Sequence, residues 1–158
     1  LTGLAAGALG LPLAGQAATT TAQFTVSATV LKTCRISATD LAFGDYDPEA
    51  TAAKDASSTI TVRCTKNTTY NVGLNAGNGS GATVTDRKMT GPNGATLNYG
   101  LYRDAARTTN WGNTAGTDTE PGTGTGATQT FTVYGRIPAD QWVEAGSYTD
   151  TITATITY

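Results

Sequence analysis

From Phe24 onward the chain alternates between apolar and polar side chains with a period of two, the pattern of strands that bury one face. Phe24, Val26, Ala28 and Val30 fall on one side, with Thr25, Ser27 and Thr29 on the other. Cys34 and Ile36 continue the rhythm, and Leu41 and Phe43 precede a turn-rich stretch, Gly44-Asp45-Tyr46-Asp47-Pro48. Ile60, Val62 and Cys64 alternate with Thr59, Thr61 and Arg63, which turns Cys64 inward. Further runs follow at Tyr70, Val72 and Leu74, at Val84 to Met89, at Leu97, Tyr99 and Leu101, and at Phe131 and Val133 before an Ile137-Pro138 corner. The last run passes through Tyr148, Ile152, Ala154, Ile156 and Tyr158, with Thr151, Thr153, Thr155 and Thr157 facing away. No stretch carries the 3.6-residue period of a long amphipathic helix, so the pattern predicts an all-β sandwich of short strands. Two segments interrupt it. Asn75 to Ala82 reads as a mobile loop, and Thr114 to Thr128 as a low-complexity connection too polar to pack. Asp47-Pro48-Glu49 fits the start of one helical turn, with Asp capping and Pro in the first position.

Composition narrows the chemistry. The 158 residues, 39% hydrophobic and 14% charged, suit one domain with appendages, and the absence of histidine removes Ser-His-Asp and Cys-His catalysis as well as His-ligated zinc. A net charge of −2 without a basic run argues against nucleic acid as a partner, and no cofactor is called for. Residues 1–17 are uncharged, with an apolar stretch from Leu4 to Leu13 followed by small residues up to Ala17. They read as the remnant of a secretory signal peptide, too short to span a bilayer. In an exported chain the two cysteines, Cys34 and Cys64, are expected to form a disulfide, the alternative being two buried free thiols.

The two ends of the remaining chain belong together. Residues 18–32 form an alternating segment set before Cys34, and the final strand runs to Tyr158 with no turn after it. An immunoglobulin-like sandwich without its last strand would expose an apolar groove and unpaired backbone groups, an invitation to a strand from another chain. The segment 18–32 of a neighbour is the expected donor, and because donor and acceptor are different surfaces, such contacts build an open filament. On alternation alone, a self-complete sandwich with a strand at each end is the simpler reading.

Longer motifs carry more. Leu101-Tyr102-Arg103-Asp104-Ala105-Ala106-Arg107 followed by Trp111-Gly112, then Tyr134-Gly135-Arg136-Ile137-Pro138, and the ending from Ala145-Gly146-Ser147-Tyr148 to Tyr158 resemble the spore coat protein U domain family. Within it they resemble the subunits of archaic chaperone-usher pili of the Csu rod type, over essentially the whole of residues 18–158. The resemblance implies an incomplete immunoglobulin-like pilin domain over 33–158, completed by donor-strand complementation. It further implies a periplasmic chaperone that lends a strand, an outer-membrane usher, and growth into an extracellular pilus for adhesion and biofilm formation. Carried onto this sequence, the donor residues are Phe24, Val26, Ala28 and Val30, and Ile152, Ala154 and Ile156 flank the acceptor groove.

Other functions fit less well. A secreted spore or cyst coat protein of the same family remains an alternative. A carbohydrate-binding sandwich would use Trp111, Tyr102 and Trp142 as a stacking platform, although the two tryptophans also read as packing. The acidic cluster Asp45, Asp47 and Glu49 reads as solvated turn charge and not as a glycosidase pair, so no enzyme is expected. Asp104 and Arg107 are expected to fix a turn through bonds to the backbone.

Overall fold

A computed structural model describes residues 2, 3, 5 and 7–158; Leu1, Leu4 and Ala6, part of the expected signal segment, lie outside the described residues. The chain divides into two units, Leu1–Val30 and Leu31–Tyr158. In the first, no described residue belongs to a helix or strand. Phe24, Val26 and Val30 are 83–86% exposed there.

The second unit is all-β. Its strands are β1 (Cys34–Ala38), β2 (Lys54–Cys64), β3 (Thr69–Leu74), β4 (Arg87–Thr90), β5 (Thr96–Tyr102), β6 (Glu120–Thr123), β7 (Thr128–Ile137) and β8 (Ala154–Thr157). One sheet has the order β1-β2-β7-β5-β4 and the other β6-β3-β8, with antiparallel pairing throughout. Alternation places Ile60, Val62 and Cys64 of β2, Leu97, Tyr99 and Leu101 of β5, and Val133 and Ile137 of β7 on the inner face of the larger sheet. Tyr70, Val72 and Leu74 of β3 meet them from the smaller one. All are buried. Removing side chains of this size from water contributes about 1.5–3 kcal/mol each, the main favourable term of the fold. Tyr70 meets Phe131 edge to face across the sandwich, with ring centroids 6.3 Å apart.

Trp111 is 1% exposed and its indole N–H donates to the Val72 carbonyl at 2.8 Å. That corrects the stacking-platform reading: a ring committed to the core and to a backbone acceptor cannot receive a sugar, and Tyr102 lies half-buried while Trp142 stands exposed on another loop. Arg87 is fully buried, its guanidinium donating to the carbonyls of Leu74, Asn75, Val84 and Trp111. Four acceptors compensate its lost hydration and tie the β3–β4 and β5–β6 connections to β4.

Of the two segments expected to be irregular, Asn75 to Ala82 is a loop, as expected, and Thr114 to Thr128 is not wholly irregular. Thr114 to Thr128 contains β6, paired with β3, and Thr119 just before it is buried. The strand escapes a pattern search because Pro121 and Gly122 break the alternation. Gly122 is required there, since a Cβ would collide with the Tyr70 ring, and Pro121 blunts the sheet edge. Asn75 to Ala82 is tied down: the Asn78 N–H donates to Asp150 Oδ1 at 2.7 Å and that of Gly77 to Asn75 Oδ1 at 3.1 Å. Asp47 does not open a helical turn. It closes a β-turn, its Oδ1 accepting from the Glu49 N–H and its carbonyl from that of Ala50. Asp104 and Arg107 do fix a turn, the carboxylate accepting from Thr108 and Thr109 and the guanidinium reaching the Gly135 carbonyl.

Cys34 and Cys64 are bridged and stand opposite one another at the first rung of the β1–β2 ladder. In the chain-entropy model, closing a loop with a sequence separation of 30 stabilises by about 3–4 kcal/mol. Reducing the bridge is therefore expected to lower the melting temperature by roughly 10 °C or more, read by circular dichroism with and without reductant.

Candidate functional site

β8 ends its sheet, so one backbone edge has no ladder partner among the described residues. β1 ends the other sheet and neighbours β8 across the sandwich. The two edges lie on the same side, and between them the core is incompletely covered. Ile36 of β1, Leu41 and Phe43 after it, Ile152 just before β8, and Ala154 and Ile156 on β8 pack against the core yet remain half-buried.

A cleft of about 500 Å³ opens along this seam. Ala38 to Phe43 form one wall and Tyr148 to Ala154 the other, with Ile60, Leu74, Tyr99, Leu101 and Val133 beneath. A second cleft of about 670 Å³ shares Leu41, Phe43, Met89 and Tyr148 with the first, and extends the seam toward Gln141 and Val143. Apolar side chains of the core floor the cleft, and the polar Thr39, Asp40, Thr149, Asp150 and Thr151 stand along its walls.

Side chains hold the wall at Asp150 to Thr153, where no ladder does. The Asn75 side-chain oxygen accepts from the Thr153 N–H at 2.9 Å, and the Asn75 N–H donates to the Thr153 carbonyl at 3.1 Å. Asp150 spends Oδ1 on the N–H groups of Asn78 and Thr151, and its Oδ2 accepts the Tyr99 hydroxyl at 2.6 Å. Tyr99 is 6% exposed. Burial first, and then its bond to Asp150, push the phenol far above its ordinary range. Burial also lowers the Arg87 pKa, an effect opposed by Tyr99 and by Asp150.

Of the expected groove residues, Ile152 and Ala154 line the first cleft, while Ile156 lies on the same face of β8, opposite Val72 and beyond that cleft. The expected donors Phe24, Val26, Ala28 and Val30 are exposed and belong to no strand. Sequence reasoning missed Leu41, Phe43, Met89 and Tyr148 as wall residues, although Leu41 and Phe43 show the alternation. It also missed Asn75, Tyr99 and Asp150, whose roles come from contacts between distant segments and leave no local signal.

The Spore Coat Protein U domain family matches residues 20–155. The chain belongs to this family. Within curated proteins it is 38% identical over 159 residues to Protein U of Myxococcus xanthus, covering 90% of this chain and 87% of that one. Among solved structures it is similar, with a TM-score of 0.62 and 26% identity, to a chain from the CsuC–CsuE chaperone–tip adhesion subunit pre-assembly complex of the archaic chaperone-usher Csu pili of Acinetobacter baumannii. That match covers 82% of this chain and 40% of the solved one, so the chain spans well under half of that neighbour's length. The Spore Coat Protein U fold here is the all-β architecture anticipated from the alternation.

The buried Tyr99, bonded to Asp150, sets an alkaline limit. Because folding raises the Tyr99 pKa, the native state binds the extra proton, so its contribution is complete below about pH 10 and is lost as pH rises above that value. Urea unfolding between pH 8 and 11 is expected to show stability falling by up to about 1.4 kcal/mol per pH unit above pH 10 from this group. Tyr99→Phe is expected to flatten that decline.

Proposed function

We propose that this protein is a structural subunit that polymerises head to tail by donor-strand complementation. The segment around Phe24, Val26, Ala28 and Val30 of one copy completes the seam of the next. The half-covered core beside the unpaired edge of β8 carries the reading. Phe24 to Val30 and the cleft wall Tyr148 to Ala154 span the same interval of six residues, about 20 Å as extended chain. Four apolar side chains entering the seam would contribute on the order of 1–3 kcal/mol each, in addition to new ladder bonds along β8. Donor and acceptor are different segments of the chain, so such a contact propagates head to tail without closing.

Export through the periplasm, a chaperone that shields the seam before assembly, an outer-membrane usher, and display as a surface filament follow from this reading. The similarity to a chain from a chaperone–subunit pre-assembly complex of Csu pili supports it. The family name and the 38% identity to Protein U favour a second setting, a coat laid down from the same kind of subunit. Family and fold are those of structural proteins. In the acidic cluster Asp47 is occupied by its own turn, and no carboxylate pair is invoked.

Phe24→Asp places a charge where an apolar side chain must enter the seam. Electron microscopy of cells expressing this variant with its secretion partners is expected to show no filaments, while the purified subunit melts as the wild type does. Filaments of normal length and number from the variant would overturn the donor assignment.

A further inference from the structure

Only Lys32 and Thr33 separate Leu31 from Cys34, the first residue of β1. Cys34 is also the first rung of the ladder, which runs from Cys34 opposite Cys64 to Ala38 opposite Ile60. The disulfide therefore stands at the fork where the N-terminal arm joins the β1–β2 pair. β1 has five residues and is paired on one side only, whereas β2 has eleven, is paired on both sides, and shares a ladder with β7 from Lys54 opposite Ile137 to Arg63 opposite Thr128.

An antiparallel ladder pulled at its fork opens one rung at a time, and each backbone bond contributes only about 1 kcal/mol net. Without the bridge, tension on the arm would peel β1 and then draw out the strand-free stretch from Thr39 to Ala53. About twenty residues between Cys34 and Lys54 would be released, roughly 70 Å of extended chain. The same motion would remove Leu41 and Phe43 from the cleft, taking away one wall of the seam.

We propose that the Cys34–Cys64 bridge is a tension clamp. The inference rests on the donor-strand reading, in which the arm carries the load between subunits. Force entering through Leu31 crosses the bridge to Cys64 and passes into the long β2–β7 ladder, bypassing β1 and the Thr39 to Ala53 stretch. The seam that grips the neighbouring subunit then keeps both walls while the filament is stretched. A cross-link at the last rung would stabilise against heat in a similar way, yet it would leave the fork open to peeling.

Optical-tweezer extension of purified filaments tests this. Native filaments are compared with filaments treated after assembly with a trialkylphosphine, which converts the bridge to two thiols as the phosphine becomes its oxide, and with Cys34→Ala/Cys64→Ala filaments. The bridged filaments are expected to resist up to rupture, and the unbridged ones to lengthen first, at low force, by about 40 Å per subunit, the roughly 70 Å of released chain less the roughly 33 Å that already separates Cys34 from Lys54 along β2. Since the phosphine acts on assembled filaments, the comparison stands even where the double variant fails to fold. Superimposable curves with mass spectrometry showing free thiols would overturn the clamp and leave the donor-strand reading intact. A chain that forms no filament at all would remove the load path, and both would fall.

Discussion

A single core shared by two sheets, with one edge of β8 unpaired among the described residues, is the constraint on which everything else in this molecule depends. Inner faces of β2, β5 and β7 meet β3 in a well-buried interior, while the last strand closes it only in part. Ile152, Ala154 and Ile156 pack against the core, yet each remains only half-buried. Exposed apolar area and unpaired N–H and C=O groups both cost free energy, and one additional strand would relieve both.

The seam is open without being slack. Asn75 and Asp150 replace ladder bonds along the segment before β8, and Asp150 is held in turn by Tyr99 from the core. Arg87 braces the neighbouring loops with four carbonyl contacts. Charged and polar groups, fully compensated, thus fix a wall that hydrophobic packing alone would leave undefined. Across the gap the disulfide fixes β1 to β2 and so sets the opposite wall. An incoming strand would meet a prepared site and pay less to order it.

Period-two alternation made the principal strands legible, because a strand with one buried face must alternate; Ile60, Val62 and Cys64, or Leu97, Tyr99 and Leu101, could scarcely be read otherwise. Export and an even cysteine pair made the bridge legible as well. β6 stayed hidden because Pro121 and Gly122 answer to a sheet edge and to the Tyr70 ring, constraints from distant parts of the chain. Trp111 illustrates the opposite difficulty: an aromatic suited to a sugar platform is also suited to a core, and only its neighbours distinguish the two. The seam itself was half legible. Its β8 side follows from alternation, whereas the polar fastenings at Asn75, Tyr99 and Asp150 belong to tertiary structure.

Assembly of the kind proposed requires that the seam accept the chain's own N-terminal segment from outside. The most direct measurement is the thermal melting of residues 31–158, a compact unit in its own right, with the disulfide intact and with or without a synthetic peptide spanning Thr19 to Leu31. A rise in melting temperature that grows with peptide concentration and reverses slowly is the predicted result. A melting temperature indifferent to the peptide at concentrations up to millimolar would contradict the account, and would mean that the sandwich is complete without a donor.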